Sequence, residues 1–186
     1  MKVIPTELAG CVLIEPAVFG DERGFFYEGW NQPRFAGQGL PMAFVQHNVS
    51  RSTRGVLRGL HYQWPGNPQG KLVSVLEGEV YDVAVDVRRG SPTFGRHAAA
   101  ILSGDNKRHF WVPEGFAHGF VVLSETALFT YLCTAPYDRE NDRGIRWNDG
   151  DLAIDWPIAE PSLSAKDAIA PCLADVPEDL LPVWNA

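Results

Sequence analysis

The chemistry of this chain is concentrated in Gly55-Val56-Leu57-Arg58-Gly59-Leu60-His61-Tyr62-Gln63. That stretch carries a histidine and an arginine where an ordinary core strand would carry neither. Its branched residues and glycine breaks predict a strand rather than a helix. Period-2 alternation sends Leu57, Gly59, His61 and Gln63 to one face, and Val56, Arg58, Leu60 and Tyr62 to the other. A chelating strand would offer metal ligands at i and i+2. Here the pair is His61 and Gln63, so one ligand is missing, and His61 reads as a base. Histidine is the side chain best suited to move protons at neutral pH. A carboxylate on its far nitrogen would fix the tautomer and strengthen the base. The sequence does not say which acid that is. The plain alternative is a strand histidine with its hydrogen bonds satisfied in the core.

Other side chains carry similar pairs of readings. Lys71 opens the run Lys71–Leu76 and shares parity with Val73 and Val75. It either snorkels to the rim or forms a fixed cation at the mouth of a cavity. Tyr131 shares a face with Ala127 and Phe129, where a tyrosine by default fills core with its hydroxyl bonded. Gln46, Asn48 and Ser50 share one face of a strand over 43–50, a face that ordinarily meets water. Arg23 and Glu28, around the turn Gly20–Gly24, fit a solvated strand edge. Metal-binding double-stranded β-helices combine an HxH strand with a PxGxxH turn. The turn is present as Pro113-Glu114-Gly115-Phe116-Ala117-His118, but the strand is degenerate, His61-Tyr62-Gln63. Two histidines make a weak site, so no catalytic metal is expected. No GxSxG elbow or glycine-rich phosphate loop occurs. An anion would have to be held by side chains such as Arg23, Arg58 and Lys71.

The elements that must position these groups are short strands. With 186 residues, 18 glycines and 14 prolines, the chain reads as roughly ten strands with regular turns and little helix. That is an all-β sandwich or barrel. Lys71–Leu76 and Val80–Val87 flank Glu77-Gly78-Glu79 and predict a hairpin. Residues 113–120 read as a turn feeding a strand over 119–123. A short helix is expected within 31–40 and another near 177–182. Beyond Tyr137 apolar alternation stops, and an irregular wrap over the barrel is expected. The whole reads as one domain, residues 1–186, with a core over about 10–135. A strand-sharing homodimer is a common remedy for open sheet edges.

Composition narrows the class. No 18-residue apolar run indicates a membrane span, and residues 1–7 lack the apolar stretch of a signal peptide. Cys11, Cys133 and Cys172 lack CxxC spacing, which points to reduced thiols in a cytoplasm. The net charge of −7 comes from residues 138–186, with 4 Lys/Arg against 11 Asp/Glu; residues 1–137 balance at 12 and 12. An acidic chain is a poor nucleic-acid binder, but an anionic small molecule can bind where a few cations converge.

Seven ordered segments together resemble the dTDP-4-dehydrorhamnose 3,5-epimerases. They are residues 18–28, 44–48, 56–63, 69–73, 91–95, 112–120 and Leu163-Ser164-Ala165-Lys166-Asp167. The resemblance implies a cupin-type jelly roll, a homodimer, no metal and no organic cofactor. It implies epimerisation at C3 and C5 of dTDP-4-dehydro-6-deoxyglucose. It also implies that His61 is the proton acceptor, Asp167 its orienting acid and Tyr131 the proton donor. Arg23, Glu28, Gln46, His47, Asn48, Arg58, Lys71, His118 and Lys166 match residues that hold the nucleotide sugar. The enolate such chemistry forms needs a cation near the ketone oxygen, best met by Lys71. Phe26 from the partner subunit and Tyr137 match aromatics that flank the thymine. Where many members carry an acidic pair near Ser-Glu-Gly, this chain has Asn141-Asp142-Arg143-Gly144, and Asp142 stands as the substitute. Tyr137 is a competing acid. The alternatives are a mono-epimerase of a related sugar and a non-catalytic sugar-nucleotide-binding cupin. Arg58 and His61 can both reach one substrate only if Gly59 bulges the strand.

Overall fold

A computed structural model describes residues 1–40 and 43–184 of the chain. The first strands are β1 (Lys2–Pro5), β2 (Val12–Glu15), β3 (Val18–Asp21) and β4 (Gly24–Tyr27). Helix α1 (Gln32–Ala36) follows, then β5 (Gln46–Thr53), β6 (Leu57–Gln63), β7 (Lys71–Glu77) and β8 (Glu79–Asp86). The barrel continues through β9 (His97–Ser103), β10 (His109–Val112), β11 (Phe116–Val122) and β12 (Thr126–Cys133). The wrap holds β13 (Asp142–Gly144), α2 (Ala165–Ala168) and single turns of 3-10 helix at Leu173–Asp175 and Glu178–Leu180. The second of those turns falls within 177–182, where a short helix is expected from sequence; the first precedes it.

Two antiparallel sheets face one another. One has six strands in the order β1-β2-β10-β7-β12-β5, the other five in the order β13-β6-β11-β8-β9. Their inner faces enclose the main core, with Val73, Val75, Ala84, Phe116, Phe120, Phe129 and their neighbours. The short-strand pattern predicts such an all-β sandwich, and the family resemblance implies the jelly roll that it forms.

The predicted hairpin at Glu77-Gly78-Glu79 does not form. β7 pairs with β10 and β12, while β8 pairs with β11 and β9. Gly78 turns a corner between sheets rather than a loop within one. Its φ is +80°, and a β-carbon there would stand 2.1 Å from the Thr126 carbonyl oxygen. Only glycine fits that combination. His118, expected in a turn, lies inside β11, and β5 runs three residues past the predicted end.

The outer face of the five-stranded sheet is covered by the wrap. Leu60, Tyr62, Val83 and Val85 pack there against Ile145, Leu152, Leu173 and Leu181. Burying such side chains contributes about 1.5–3 kcal/mol each. The segment is tied to β6 through backbone bonds: Leu57 N–H to Ser162 O at 3.0 Å, and Ile145 N–H to Leu60 O at 2.9 Å. Residues 162–167 are thereby held against the strand that carries His61.

Candidate active site

Arg58 and His61 meet in one cavity because β6 carries an extra residue. Against β11, His61 pairs with His118 and Arg58 with Phe120, so three steps on β6 match two on β11. That bulge reverses the alternation. It falls at Gly59, where φ is +133° and a β-carbon would stand 2.5 Å from Gly119 Cα. Two facing glycines therefore permit both the conformation and the close approach.

The cavity lies between the sheets and encloses about 270 Å³. Arg58, His61 and His118 enter from the five-stranded sheet, and Lys71 and Tyr131 from the six-stranded one. Lys166 and Asp167 close it from α2. Its floor is aromatic: the Phe120 and Phe129 rings stack with centroids 4.0 Å apart.

His61 Nε2 lies 2.6 Å from Asp167 Oδ1. An ionised carboxylate only accepts, so Nε2–H donates and the lone pair rests on Nδ1. Asp167 is 4% exposed, and its place is set locally. Ser164 caps α2 and its Oγ accepts the Asp167 N–H at 3.1 Å, the usual role of an N-cap serine. Burial would raise the Asp167 carboxyl. The hydrogen bond and charge of His61, the Ser164 hydroxyl and the Gly59 amide outweigh it and hold the group below its ordinary value.

A second histidine–aspartate pair sits beside the first. His118 Nε2 lies 2.9 and 3.0 Å from the two oxygens of Asp82, which is fully buried. Burial pushes the Asp82 carboxyl up, with His118 acting against it. Asp82 was not singled out by the sequence, where it reads as one acid in an apolar strand.

Lys71 is buried and lowered from its ordinary value, chiefly by burial, with Asp142 and Glu114 pulling partly back. Among the described residues it has no salt-bridge partner. Burial likewise pushes the Tyr131 phenol up, so it stays protonated. Ser50 also lines the cavity, and its buried Oγ has no partner. Ser52 Oγ takes the Arg58 Nε–H at 3.1 Å and steers that guanidinium.

A smaller recess adjoins the cavity and shares His61, Lys71 and Tyr131 with it. At its mouth Asp142 joins two candidates: its Oδ2 accepts from Tyr137 Oη at 2.9 Å and from Lys166 Nζ at 2.5 Å. Gln46 and Asn48 face the barrel interior from β5, joined by a 3.0 Å side-chain bond. They are committed within the chain rather than open to the cavity.

Four candidates lie outside the cavity of their own chain. Arg23 and Phe26 stand on the β3–β4 hairpin, where Arg23 pairs with Asp21 and Phe26 is 68% exposed. Glu28 binds Asn31 and Arg34. His47 has the opposite parity to Asn48, so it projects from the outer face of the six-stranded sheet and bonds Thr130. Among the described residues no three His, Cys, Asp or Glu side chains cluster as a metal site would require.

This jelly roll gathers in one aromatic-floored cavity the groups an acid–base enzyme needs: three cationic side chains, a histidine–aspartate dyad and an opposed tyrosine. The chain belongs to the dTDP-4-dehydrorhamnose 3,5-epimerase family, whose model matches residues 5–175. It is 55% identical over 177 residues to the dTDP-4-dehydrorhamnose 3,5-epimerase of Pseudomonas aeruginosa, covering 94% of this chain and 97% of that one. It is 54% identical to the Shigella flexneri enzyme of the same name, covering 90% and 93%. Among solved structures it is similar to a dTDP-6-deoxy-D-glucose-3,5-epimerase of Legionella pneumophila in complex with dTDP-4-keto-L-rhamnose. That match has a TM-score of 0.97 and 53% identity, over 100% of this chain and 99% of the other.

Proposed function

We propose that the chain inverts C3 and C5 of dTDP-4-dehydro-6-deoxy-D-glucose to give dTDP-4-dehydro-L-rhamnose, a step of dTDP-L-rhamnose biosynthesis. The observation that carries this reading is the opposition of His61 and Tyr131 on facing sheets of one cavity. Both carbons are α to the C4 ketone, so removing either proton gives an enolate. His61 Nδ1 takes the proton, and Asp167 stabilises the imidazolium that forms. Lys71 stabilises the negative charge developing on the ketone oxygen, in a site where little water competes. Tyr131 protonates the opposite face of the carbon, and that is inversion. Arg58 and Lys166 bind the diphosphate, and His118, held in place by Asp82, lines the same cavity. Tyr137 flanks the base at the mouth.

Proton NMR in D₂O with the nucleotide sugar tests this directly. Deuterium should enter at C3 and at C5. Uptake at one carbon would make the chain a mono-epimerase, and none would make it a binding protein.

The lowered Lys71 also predicts a pH profile. The kcat/KM curve, which reports the free enzyme, should fall on its alkaline side below the ordinary lysine value of about 10.4. Deprotonation removes the cation, so rate is lost as pH rises through the lowered value. Lys71→Arg should move that limb to higher pH, because guanidinium stays charged. A limb that does not move belongs to another group.

The active form is a homodimer. The β3–β4 hairpin pairs only with itself among the described strands and exposes Phe19, Phe25 and Phe26 at 61–68%. Exposed aromatics so grouped favour a protein partner. A second copy accounts for Arg23 and Phe26 standing away from their own cavity. Sedimentation should give twice the chain mass of 20.6 kDa, and Phe26→Asp should weaken substrate binding. A monomeric enzyme with full activity would remove this reading. Residues 136–184 belong to the same domain as the barrel, since they supply Lys166 and Asp167; Asn185 and Ala186, the end of the expected wrap, lie outside the described residues. Three free cysteines support a cytoplasmic location, and among the described residues no helix is long and apolar enough to cross a membrane.

A further inference from the structure

After β12 ends at Cys133 the chain leaves the sheet, and its backbone groups need new partners. Four consecutive residues find them on glutamine side chains. Gln69 Nε2 donates to Ala135 O at 2.7 Å. Gln63 Nε2 donates to Pro136 O at 3.1 Å and to Asn67 O at 2.7 Å. Gln46 Oε1 accepts the Tyr137 N–H at 2.8 Å, and Gln63 Oε1 accepts the Asp138 N–H at 2.9 Å. Gln63 and Gln69 are 4% and 7% exposed. Both hydrogens of the Gln63 amide and its oxygen are thus engaged by backbone. This is why the second position of a chelating strand holds glutamine here: it faces the same way as His61 but binds a loop.

The loop so held carries Tyr137, whose hydroxyl fixes Asp142 and, through it, Lys166. We propose that Gln63, supported by Gln69, is a positioning residue that sets Tyr137 at the mouth of the cavity. The proposal rests on the reading that a nucleotide sugar binds with its base at that mouth. Gln63 touches no reacting atom, so its loss should weaken nucleotide binding and leave proton transfer intact.

Gln63→Met keeps the side chain's length and removes the three bonds that Gln63 makes. Amide hydrogen exchange over 134–140 should quicken about tenfold, each lost bond being of modest net strength, while exchange in β7, β8 and β11 is unchanged. The Kd for dTDP should rise about tenfold, the KM for the nucleotide sugar should follow, and kcat should stay within about twofold. Gln69→Met, which loses one bond, should show the same pattern at about threefold, and it serves if Gln63→Met does not fold. Unchanged exchange at 134–140 would overturn the proposal. So would faster exchange throughout the protein, or a looser loop with unaltered dTDP affinity. If the wild-type protein leaves the keto-sugar unlabelled in D₂O, the epimerase reading falls, while exchange and dTDP affinity still decide this one.

Discussion

His61→Gln is expected to abolish deuterium uptake at both C3 and C5 and to lower kcat by about a thousandfold, within the usual range for a general base. Glutamine is the informative choice. Its amide nitrogen reaches the place of Nε2 and can still donate to Asp167, so the buried carboxylate keeps a partner and the fold is preserved. His61→Ala removes that donor and should cost about 1–3 kcal/mol as well as activity. The acid range separates the two variants. Asp167 is lowered in the folded state, with burial outweighed by His61 and its other hydrogen bonds. A lowered carboxyl contributes stability above its unfolded pKa and loses it as pH falls through the folded one. His61→Ala should therefore shed stability near neutral pH and show less further loss on acidification than the wild type. Thermal melts over an acid pH series read that difference, and activity retained by either variant would remove His61 from the chemistry.

The groups proposed for this chemistry are unequally legible in the sequence. Alternation groups Lys71 with Val73 and Val75, and Tyr131 with Ala127 and Phe129, and the structure turns both faces, with His61 opposite, toward the cavity. Asp167 is different. It lies 106 residues from His61, and its position depends on how an irregular wrap docks on β6. No local pattern encodes that contact; only a family resemblance reaches it. Asp82 was missed for a related reason, since an acid inside an apolar strand signals nothing until His118 is seen beside it. The corner at Gly78 was misread because a glycine between two apolar runs gives the same local signal whether the strands pair or part. Here they part, because β10 and β12 occupy the two edges of β7 and leave none for β8. The bulge at Gly59 was readable only as a requirement, imposed by two side chains that had to share a face. His47 shows the limit of matching residue types. Its neighbours Gln46 and Asn48 face the interior, and the pleat alone turns it outward.

Tyr131→Phe should separate proton removal from inversion. The base is untouched in this variant, so His61 still forms the enolate. The imidazolium exchanges its proton with D₂O and, lacking an acid on the far face, returns a deuteron to the face it came from. Recovered substrate should then carry deuterium with its configuration retained, while product forms about 10²–10⁴-fold more slowly. A merely damaged fold would lower exchange and product together, so the ratio of the two carries the result. Tyr137 is the rival donor, and its situation differs. It is 56% exposed, lines only the smaller recess, and donates its hydroxyl to Asp142, a bond that helps push its own phenol up. A phenol spent on a carboxylate at the rim is poorly placed to protonate a carbon between the sheets. Tyr137→Phe should accordingly raise KM and leave the ratio of exchange to product at its wild-type value. If instead Tyr137→Phe exchanges without inverting, and Tyr131→Phe turns over normally, the acid stands at the mouth. The two-faced geometry that links His61 to Tyr131 would then have to be redrawn around Tyr137.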